Sequence, residues 1–335
     1  MNSPVFIDER WVGDHGIGRV ARSLKTRLDF NDLALSGSPS SPLDSIRFFL
    51  RTLQLPCGSI VFSPGYNAPL FFIRPFIFIV HDLNHIDYVE NSSLLKRLYY
   101  SFVLKRACRS AARVLTVSEF SKLRISQWSG INFERIVNIS NGVDKKFCPD
   151  GERFSPGFNY LLSVSNRKPH KNEIGILRSF ARSKIDKSIR LLFTGSPTDE
   201  VEEATLSLGI KDRVQFLGRV SEGDLPKLYR GGLALIFPSL YEGFGLPVIE
   251  SMACGTPVLT STISSLPEVS GGAALLVDPK SVDEIAGGIE RIATDGGLRA
   301  RLRESGLRRA KDFNWDLVAE RVRDVLNEIQ VELRE

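Results

Sequence analysis

Cysteine is scarce in this chain of 335 residues, and its spacing matches no common cysteine site. The four cysteines stand at Cys57, Cys108, Cys148 and Cys254, with no C-x2-C pair among them. Such spacing predicts neither a zinc site nor a disulfide framework. A few isolated cysteines are typical of a reducing compartment, so we expect a cytoplasmic protein.

Long hydrophobic runs are also lacking. The longest apolar stretch, residues 70–80, contains Arg74 and Pro75. It is much shorter than the about 20 residues that a transmembrane helix needs. The first residues show no basic segment followed by an apolar one, which is the pattern of a secretory signal. We therefore expect neither a transmembrane helix nor a secretory signal.

Charge is nearly balanced overall, at +5, but it is unevenly distributed. Residues 1–150 hold 19 Lys and Arg against 13 Asp and Glu, and much of this excess lies in residues 92–113. The apolar residues of that segment recur at helical spacing beside the basic ones, at Leu94, Leu95, Leu98, Phe102 and Val103.

Two explanations of this basic segment remain open. The more common one is a helix whose apolar stripe faces the core while its basic face is solvated. The alternative is a helix that lies on an anionic membrane surface. No recognised nucleic-acid motif accompanies the charge, so we expect no nucleic-acid partner.

Short β-branched or aromatic runs alternate with helical stretches through nearly the whole chain. The runs are VFID, SIVFSP, FIFIVHD, RVLTVSE, RIVNISNG, NYLLSVSN, IRLLFTG, RVQFLG, LALIFPS, TPVLTS and AALLVD. This alternation predicts an α/β protein with parallel sheets. The length exceeds the about 250 to 300 residues at which a single core stops growing. Residues 145–158, rich in proline, glycine and charge, are the predicted linker between two domains.

The segment LYEGFGLPVIE, residues 240–250, sets two carboxylates around a glycine-rich turn. The apolar run before it predicts a buried parallel strand, and the proline after the turn suits the start of a helix. Gly243 and Gly245 let the backbone approach a ligand, and the first helix amides carry partial positive charge. We expect Glu242 in the loop and Glu250 one turn inside the helix, beside a site for phosphate or sugar hydroxyls.

This strand, loop and helix resemble the E-x7-E region of glycosyltransferase family 4, and residues 214–279 resemble that family throughout. The resemblance implies the GT-B fold, with two Rossmann-like domains, parallel sheets and a cleft between them. It implies an acceptor-side domain at residues 1–148 and a nucleotide-sugar-binding domain at residues 149–313. The last helix, residues 314–335, is then expected to cross back to the first domain. The implied activity is that of a retaining hexosyltransferase.

Two cations follow the first strand of the second series, in SVSNRKPHKN. Arg167 and Lys171 stand four apart, and such cations can hold a diphosphate leaving group. The segment resembles the family's G-x-R-x-x-Y-K-N pattern, although it has His170 in place of tyrosine and lacks the glycine. The resemblance implies that both cations take up charge on the departing diphosphate. It further implies that Glu250 binds the ribose and that Glu242 holds hydroxyls of the donor sugar.

Other positions take their roles from the resemblance. His81 ends an apolar strand, where ligands bind in open α/β sheets, and its H-D-L context is similar to that of the family's mannosyltransferases. It is therefore implied to face the donor sugar as a catalytic residue. The amides of the E-x7-E turn and several strand exits are implied to bind the donor, at Phe244, Gly245, Leu246, Gly16, Gly18, Ser118, Gly195, Arg219 and Val220.

The sequence contains no D-x-D motif. This disfavours the metal-dependent glycosyltransferases with a single Rossmann domain, and we expect neither a metal ion nor a cofactor. Charge on the diphosphate would then be stabilised by the cations and helix amides. The resemblance favours GDP-mannose as the donor, with UDP- or dTDP-sugars as alternatives. The expected acceptor is a glycan or lipid-linked oligosaccharide, contacted by Asp14 and His15.

Functions from other classes remain open. A sugar-nucleotide epimerase shares the two-Rossmann architecture and would convert free nucleotide sugar without an acceptor. A catalytically silent nucleotide-sugar-binding protein is a further alternative, although simple binding would not need both glutamates and both cations. An NAD enzyme is disfavoured. Gly16, Gly18 and Ala21 fit G-x-G-x-x-A, but no acidic residue closes a second strand about 20 residues later.

Overall fold

The chain forms two compact units, seen in a computed structural model. One unit comprises Met1–Gly142 with Asn314–Glu335, and the other comprises Val143–Phe313. Each contains a six-stranded sheet in which every described strand pair is parallel. The predicted α/β class with parallel sheets is confirmed. The structure describes residues 3–13, 16–41, 43–88 and 93–335.

The first sheet has the strand order β2-β1-β3-β4-β5-β6. Two of its central strands, β3 and β4, are buried at every residue, which explains why their sequences are continuous apolar runs. The predicted runs of this half are confirmed. The strands are β1 (Val5–Ile7), β2 (Asn31–Asp32), β3 (Ile60–Ser63), β4 (Phe76–Ile79), β5 (Arg113–Thr116) and β6 (Ile136–Asn138).

The described residues between β1 and β6 include helices α1 to α6. A π-helical turn, Tyr100–Leu104, joins the fourth to the fifth, so that residues 94–110 form one continuous helix with a wide turn in its middle. The helices are α1 (Gly16–Lys25), α2 (Asp44–Leu53), α3 (Asn84–Asp87), α4 (Leu94–Tyr99), α5 (Lys105–Ser110) and α6 (Glu119–Ser129).

The 94–110 helix faces the core with a different stripe from the expected one. Its buried side chains are Tyr100, Leu104, Ala107 and Cys108. These are spaced three or four apart and fill the inner face of the helix. Of the two explanations of this segment, the one in which the stripe of Leu94, Leu95, Leu98, Phe102 and Val103 faces the core is contradicted, because the first four of these residues are exposed.

The second sheet has the order β12-β11-β10-β7-β8-β9, and its six predicted runs are also confirmed. Its strands are β7 (Tyr160–Ser163), β8 (Arg190–Phe193), β9 (Val214–Phe216), β10 (Ala234–Phe237), β11 (Val258–Ser261) and β12 (Leu275–Val277). Its helices are α7 (Glu173–Arg182), α8 (Asp199–Ser207), α9 (Leu225–Gly231), α10 (Leu246–Ala253), α11 (Leu266–Ser270), α12 (Val282–Thr294) and α13 (Gly296–Ala310).

The last helix, α14 (Trp315–Glu332), belongs to the first unit. Asn314 caps it, because its side-chain oxygen accepts from the first helix amides. Nε of Arg27, which follows α1, donates to Oδ1 of Asp316 at 2.7 Å. The buried Trp315 ring lies so close to Gly142 that a Cβ there would meet it at 2.6 Å. Within the described residues, no helix is both long and apolar enough to span a membrane.

The first unit ends at Gly142, whereas the sequence placed the end of its domain at residue 148. The difference arises because the following segment packs on the second unit. The ring of Phe147 lies 6.0 Å from that of Tyr229 in an edge-on contact. Further along, the Phe154 amide donates to a carbonyl of α9 at 3.0 Å. The stretch whose composition suggested a linker is therefore held against the second sheet's helices.

The strand order of each sheet reverses once, between β1 and β3 in the first and between β7 and β10 in the second. In open parallel sheets, ligands bind outside the carboxyl ends of the strands at such a switch point. In the second unit, the chain after β7 carries Arg167 and Lys171, and the chain after β10 carries Glu242. The fold thus brings the main predicted donor-site segments to one edge of the sheet.

Candidate functional site

Lys171 and Glu242 meet at the carboxyl edge of the second sheet. Lys171 ends a short 3-10 turn, Pro169–Lys171, and Glu242 lies in the loop after β10. Nζ of Lys171 is 2.6 Å from Oε1 of Glu242, and the two side chains are only 13% and 11% exposed. The same Nζ lies 5.0 Å from the centre of the Phe237 ring. The two predicted catalytic residues therefore form a largely buried ion pair.

Arg167 is fixed to the strand exit that follows β8. Its Nε donates to the carbonyl of Ser196 at 2.7 Å, and its Nη2 donates to the carbonyls of Thr194 at 2.5 Å and Gly195 at 2.9 Å. Nη1 donates to the carboxylate of Glu173. Of the five N–H groups of a guanidinium, these bonds leave one for a ligand.

The backbone and rings around Arg167 also restrict it. Its φ is +61°, a left-handed conformation that is uncommon outside glycine and persists only where the surroundings hold it. The guanidinium lies 5.4 Å from the ring centre of Phe193 and 5.3 Å from that of Phe216. The positive charge therefore has a defined position at the edge between β7 and β8.

The turn before α10 presents unpaired amides. Gly245 has a φ of +96°, and a Cβ at this position would lie 2.7 Å from Leu266, so the turn requires glycine. No side chain caps α10. In the described part of the chain, the amides of Phe244, Gly245 and Leu246 have no acceptor. Free amides at a helix N-terminus bind phosphate or hydroxyl oxygens.

Glu250 occupies the predicted position within α10. It is only 3% exposed, and its Oε2 accepts from the hydroxyl of Tyr229 in α9 at 3.0 Å. One helical turn later, burial raises the pKa of the Cys254 thiol to about 12, and the charge of Glu250 contributes to this rise. The carboxylate is therefore held in poorly hydrated surroundings. No sequence pattern indicated Tyr229, which lies 21 positions before Glu250.

The loop around Glu242 is fastened by serines that the sequence did not single out. Oγ of Ser264 accepts from the Glu242 amide at 3.2 Å. Oγ of Ser265 lies 3.0 Å from the carbonyls of both Glu242 and Phe244. Nδ2 of Asn172 ties the start of α7 to the same edge, because it donates to the carbonyl of Pro238 at 3.0 Å. Serine and asparagine are too common in loops for these roles to be predicted from one sequence.

The exits of β8 and β9 are joined by a backbone contact. The amide of Gly195 donates to the carbonyl of Gly218 at 2.6 Å, and both glycines have a positive φ. Gly195 is also the residue whose carbonyl Arg167 holds. Arg219 is exposed and Val220 half-buried just beyond this contact. Gly195 therefore contacts Arg167 directly. Arg219 and Val220 are connected to Arg167 through the backbone hydrogen bond between Gly195 and Gly218.

In the first unit, His81 follows β4 and lies against the loop after β3. Its Nε2 is 2.9 Å from the carbonyl oxygen of Pro64. Because a carbonyl only accepts, Nε2 carries the proton. The neighbouring Asp82 accepts from the Tyr66 hydroxyl at 3.2 Å. Burial and the charge of Asp82 raise the pKa of Tyr66 well above its ordinary value.

The predicted donor contacts Gly16, Gly18 and Ser118 have local structural roles. Gly16 begins α1, and a Cβ at Gly18 would lie 2.5 Å from the backbone of Gly13. This glycine therefore permits close contact between the helix and the preceding loop. Ser118 caps α6, because its Oγ accepts from the Ser121 amide at 3.0 Å.

The predicted acceptor contacts, Asp14 and His15, lie outside the described residues. The chain that leads to them is anchored by a buried network. Arg10 pairs with Asp8 at 2.7 Å and with Asp44 at 2.6 Å. Burial opposes the charge of Arg10, but the hydrogen bonds to both carboxylates outweigh it and raise the pKa of the guanidinium. The end of β1 thus has a fixed position.

The site in the second unit combines charges of both signs. Cationic Arg167 and Lys171 and the free amides before α10 suit a diphosphate, and the carboxylate of Glu242 suits sugar hydroxyls. Among the described residues, no group of three or more His, Cys, Asp and Glu side chains is placed to hold a metal ion. The arrangement is therefore equipped to bind an anionic ligand that also carries hydroxyls.

Two family descriptions match the chain. Residues 144–309 match the family described as "Glycosyl transferases group 1". Residues 58–147 match the one described as "Glycosyltransferase Family 4". The two matches meet near the end of the first unit and together cover most of the chain.

Similar proteins include several named mannosyltransferases. O-antigen chain mannosyltransferase B of Escherichia coli is 30% identical over 269 residues, which are 75% of this chain and 71% of that protein. O-antigen chain mannosyltransferase RfbU of Salmonella typhimurium is 34% identical over 66% of this chain and 61% of its own length. MMP alpha-(1->4)-mannosyltransferase of Mycolicibacterium hassiacum is 33% identical over 67% of this chain and 56% of its length.

Solved structures share the fold at low sequence identity. Anabaena HepE in complex with UDP-glucose has a TM-score of 0.76 and 17% identity, covering 98% of this chain and 100% of that one. Sucrose-phosphate synthase from Thermosynechococcus elongatus has a TM-score of 0.75 and 18% identity, covering 98% of this chain and 100% of that one. At such identities, these likenesses concern the fold alone.

Proposed function

Because the chain belongs to glycosyltransferase family 4 and has the GT-B fold, we propose that it transfers mannose from GDP-mannose to a hydroxyl of a glycan or lipid-linked oligosaccharide. The observation that carries the proposal is the Lys171–Glu242 pair beside the free amides before α10. The mannosyltransferase names of the relatives at 30–34% identity support mannose as the sugar. UDP- or dTDP-sugars are the alternative donors.

In the proposed complex, the diphosphate lies between the exits of β7 and β10. The ammonium group of Lys171 donates hydrogen bonds to the phosphate oxygens as well as to Glu242. Arg167 donates its remaining N–H to the diphosphate. The amides of Phe244, Gly245 and Leu246 complete the set of donors. This distribution supports departure of the diphosphate, since donors already in place stabilise charge as it develops. The proposed reaction needs no metal ion.

The donor's two sugar rings bind to carboxylates in this proposal. Glu242 accepts hydrogen bonds from hydroxyls of the mannose, and Glu250 accepts them from the ribose. Since Tyr229 already donates to Glu250, the carboxylate is oriented before the nucleotide arrives. Binding then costs less conformational entropy than it would with a freely rotating side chain.

Transfer proceeds with retention of configuration in our proposal. The bond between the anomeric carbon and the diphosphate oxygen breaks, and the acceptor oxygen bonds to the same face of the sugar. The acceptor proton passes to the departing diphosphate, and no side chain bonds covalently to the sugar. Oxocarbenium-like charge on the sugar is balanced by the diphosphate, while the cations hold the diphosphate in place.

We also propose that the enzyme is cytoplasmic and touches the inner face of an anionic membrane. A lipid-linked acceptor would be presented at such a surface. The cations in residues 92–113 are the sequence feature that supports this location.

A panel of nucleotide sugars tests the donor assignment. Purified protein is incubated with EDTA and GDP-mannose, UDP-glucose, UDP-galactose or dTDP-rhamnose, without acceptor. We expect GDP-mannose to raise the thermal unfolding temperature most and to be slowly hydrolysed to GDP. A response to a UDP- or dTDP-sugar alone would overturn the GDP-mannose assignment. Epimerised nucleotide sugar would favour an epimerase, and no response at all would contradict a transferase.

Alanine variants of the two cations test the charge assignment. Arg167→Ala and Lys171→Ala should each lower kcat by a factor of order 10², as expected when a donor to developing charge is lost. Lys168→Ala is the matched control, since this exposed lysine lies in the same loop and should leave kcat unchanged. Steady-state hydrolysis or transfer rates measure the effect. Unchanged kcat in both cation variants would sink the assignment.

A further inference from the structure

The 94–110 helix carries large apolar side chains on its outer face. Leu94, Leu95 and Phe102 are 73%, 78% and 72% exposed, and Leu98 is also exposed. Single exposed apolar residues are normal in proteins, but a group of four on one helix face marks an interaction site.

The wide turn in this helix keeps the exposed residues in line. Leu94, Leu98, Phe102 and Arg106 are each four positions apart. In an α-helix, a step of four residues passes a full circle by about 40°, so such a stripe slowly winds around the helix. The π-helical turn Tyr100–Leu104 has more residues per turn and offsets part of this drift. The stripe therefore stays on one side of the helix.

Helix α2 has a similar outer face. Ile46, Leu50 and Leu53 are exposed and spaced by four and three residues, which places them on one side of the helix. The opposite side, at Phe48 and Thr52, is buried. This helix therefore has apolar residues on both its inner and outer faces.

Phe71 connects the two helices into one surface. Its ring is 5.2 Å from that of Phe49 in α2 and lies 5.3 Å from the guanidinium of Arg106 in α5. Phe71 is itself half exposed. We call the area that these helices and Phe71 form the lipid surface, and its exposed apolar residues are Ile46, Leu50, Leu53, Phe71, Leu94, Leu95, Leu98 and Phe102.

The segments that carry the lipid surface contain no carboxylate. Neither residues 45–81 nor residues 91–118 contain Asp or Glu. In the described chain, the cations of the 94–110 helix are not paired with carboxylates, and they are Lys96, Arg97, Lys105, Arg106 and Arg109. An apolar area beside unpaired cations is complementary to a surface that is apolar inside and anionic at its edge.

We propose that the lipid surface docks the enzyme on an anionic phospholipid bilayer. The leucine and phenylalanine side chains enter the boundary between headgroups and acyl chains, and the surrounding cations bind lipid phosphates. A second copy of the chain is a poorer occupant, because a twofold pairing would place the cations of the two copies against each other. This inference rests on the proposed membrane location and specifies the surface, while the donor assignment does not depend on it.

Vesicle binding tests the proposal without any sugar chemistry. Full-length protein is co-sedimented with vesicles of phosphatidylcholine alone or of phosphatidylcholine mixed with an equal part of phosphatidylglycerol. We expect binding to the mixed vesicles at least about tenfold tighter than to the neutral ones, weakening as salt rises. Equal binding to both vesicles, or none to either, would overturn the proposal.

A glutamine variant locates the contact. The change L94Q/L95Q/L98Q/F102Q keeps good helix formers while removing the apolar side chains, and should weaken vesicle binding about tenfold or more. The matched control is L206Q/V331Q, whose side chains are 52% and 53% exposed elsewhere and should not affect binding. Equal losses in both variants would overturn the assignment of the surface.

Two further readouts separate the alternatives. Circular dichroism and nucleotide-sugar hydrolysis of the quadruple variant should match the unmodified protein, since none of its changes lies in the donor site. Loss of vesicle binding with intact hydrolysis supports the docking surface, even if GDP-mannose is not the donor. Sedimentation velocity measures whether the protein is a monomer or a dimer. The proposal would be overturned if the unmodified protein were a dimer, the quadruple variant were a monomer, and neither bound vesicles.

Discussion

Lys171 and Glu242 come from positions 71 apart in the sequence and lie in contact at one sheet edge. Each side chain is mostly shielded from water, so each charge depends on the other for compensation. In the proposed reaction the lysine must also serve the diphosphate. The ion pair gives both side chains a fixed orientation, and in the proposed reaction the cation would already be in place before the donor binds.

Stability measurements can separate this structural role from catalysis. Lys171→Ala should destabilise the protein by about 3 kcal/mol, because it leaves the carboxylate of Glu242 buried and unpaired. The double variant K171A/E242Q should regain part of that loss, since no uncompensated charge remains. Urea unfolding monitored by fluorescence gives both values. A double variant less stable than K171A would show that the pair is not coupled as described.

The sequence indicated where Glu242 and Glu250 lie in the loop and helix, but it did not indicate their partners. Glu242 and Glu250 were indicated by the glycine-rich turn and the resemblance it carries. Tyr229, which holds Glu250, and Asn172, which ties the loops together, were recognisable only once distant segments were brought together. A hydrogen bond between side chains far apart in sequence leaves no periodic signal in either segment.

At the scale of elements, two glycines in helices illustrate opposite requirements. Gly18 in α1 faces the backbone of Gly13, where a Cβ would meet atoms at 2.5 Å. Gly287 in α12 has no atom within 4 Å of a Cβ position. One glycine allows a helix to touch a loop, while the other only weakens its helix.

Alanine substitutions at both positions test this difference. Gly18→Ala should destabilise the protein by about 1 to 3 kcal/mol, because the loop backbone must move away from the helix. Gly287→Ala should stabilise it by about 0.5 to 1 kcal/mol through improved helix propensity. Thermal unfolding of the two variants provides the comparison, with each serving as the control for the other. A stabilising change at position 18 would contradict the close contact.

Most strands were predictable because buried parallel strands have continuous apolar sequences. β2 was missed, since Asn31 and Asp32 are both exposed and polar. The π-helical turn Tyr100–Leu104 was also missed, because one wide turn changes the apolar spacing too little to stand out. The sequence left the placement of the outer stripe of the 94–110 helix open for a related reason. Helical spacing shows that apolar residues share a face, but not whether anything covers that face.

For the whole molecule, the sequence order of segments differs from their grouping in space. Helix α14 follows the second unit in sequence but contributes its buried face to the first, with Trp315 against Gly142. Composition indicated a linker at residues 145–158, but it could not show that residues 143–148 pack on the second unit, because that depends on contacts such as Phe147 with Tyr229.

Hydrogen exchange can assign α14 to its unit in solution. Trp315→Ala should cost about 3 to 5 kcal/mol, as expected for the loss of a buried large aromatic ring. We expect faster exchange in peptides of residues 1–142 and little change in residues 143–313. Phe180→Ala is the matched control, since this fully buried ring belongs to the second unit and should give the reverse pattern. Faster exchange confined to residues 143–313 in the Trp315 variant would contradict the grouping.

The second unit begins and ends at neighbouring points, since the Val143 amide donates to the Phe313 carbonyl at 3.2 Å. In genetic terms it is an insertion within the first unit. During synthesis the first unit is therefore started first and completed last, because α14 leaves the ribosome only after the whole second unit. Recombination at two points of the gene, whose encoded residues lie side by side in space, can therefore exchange the whole second unit. The first unit then keeps its last helix, α14.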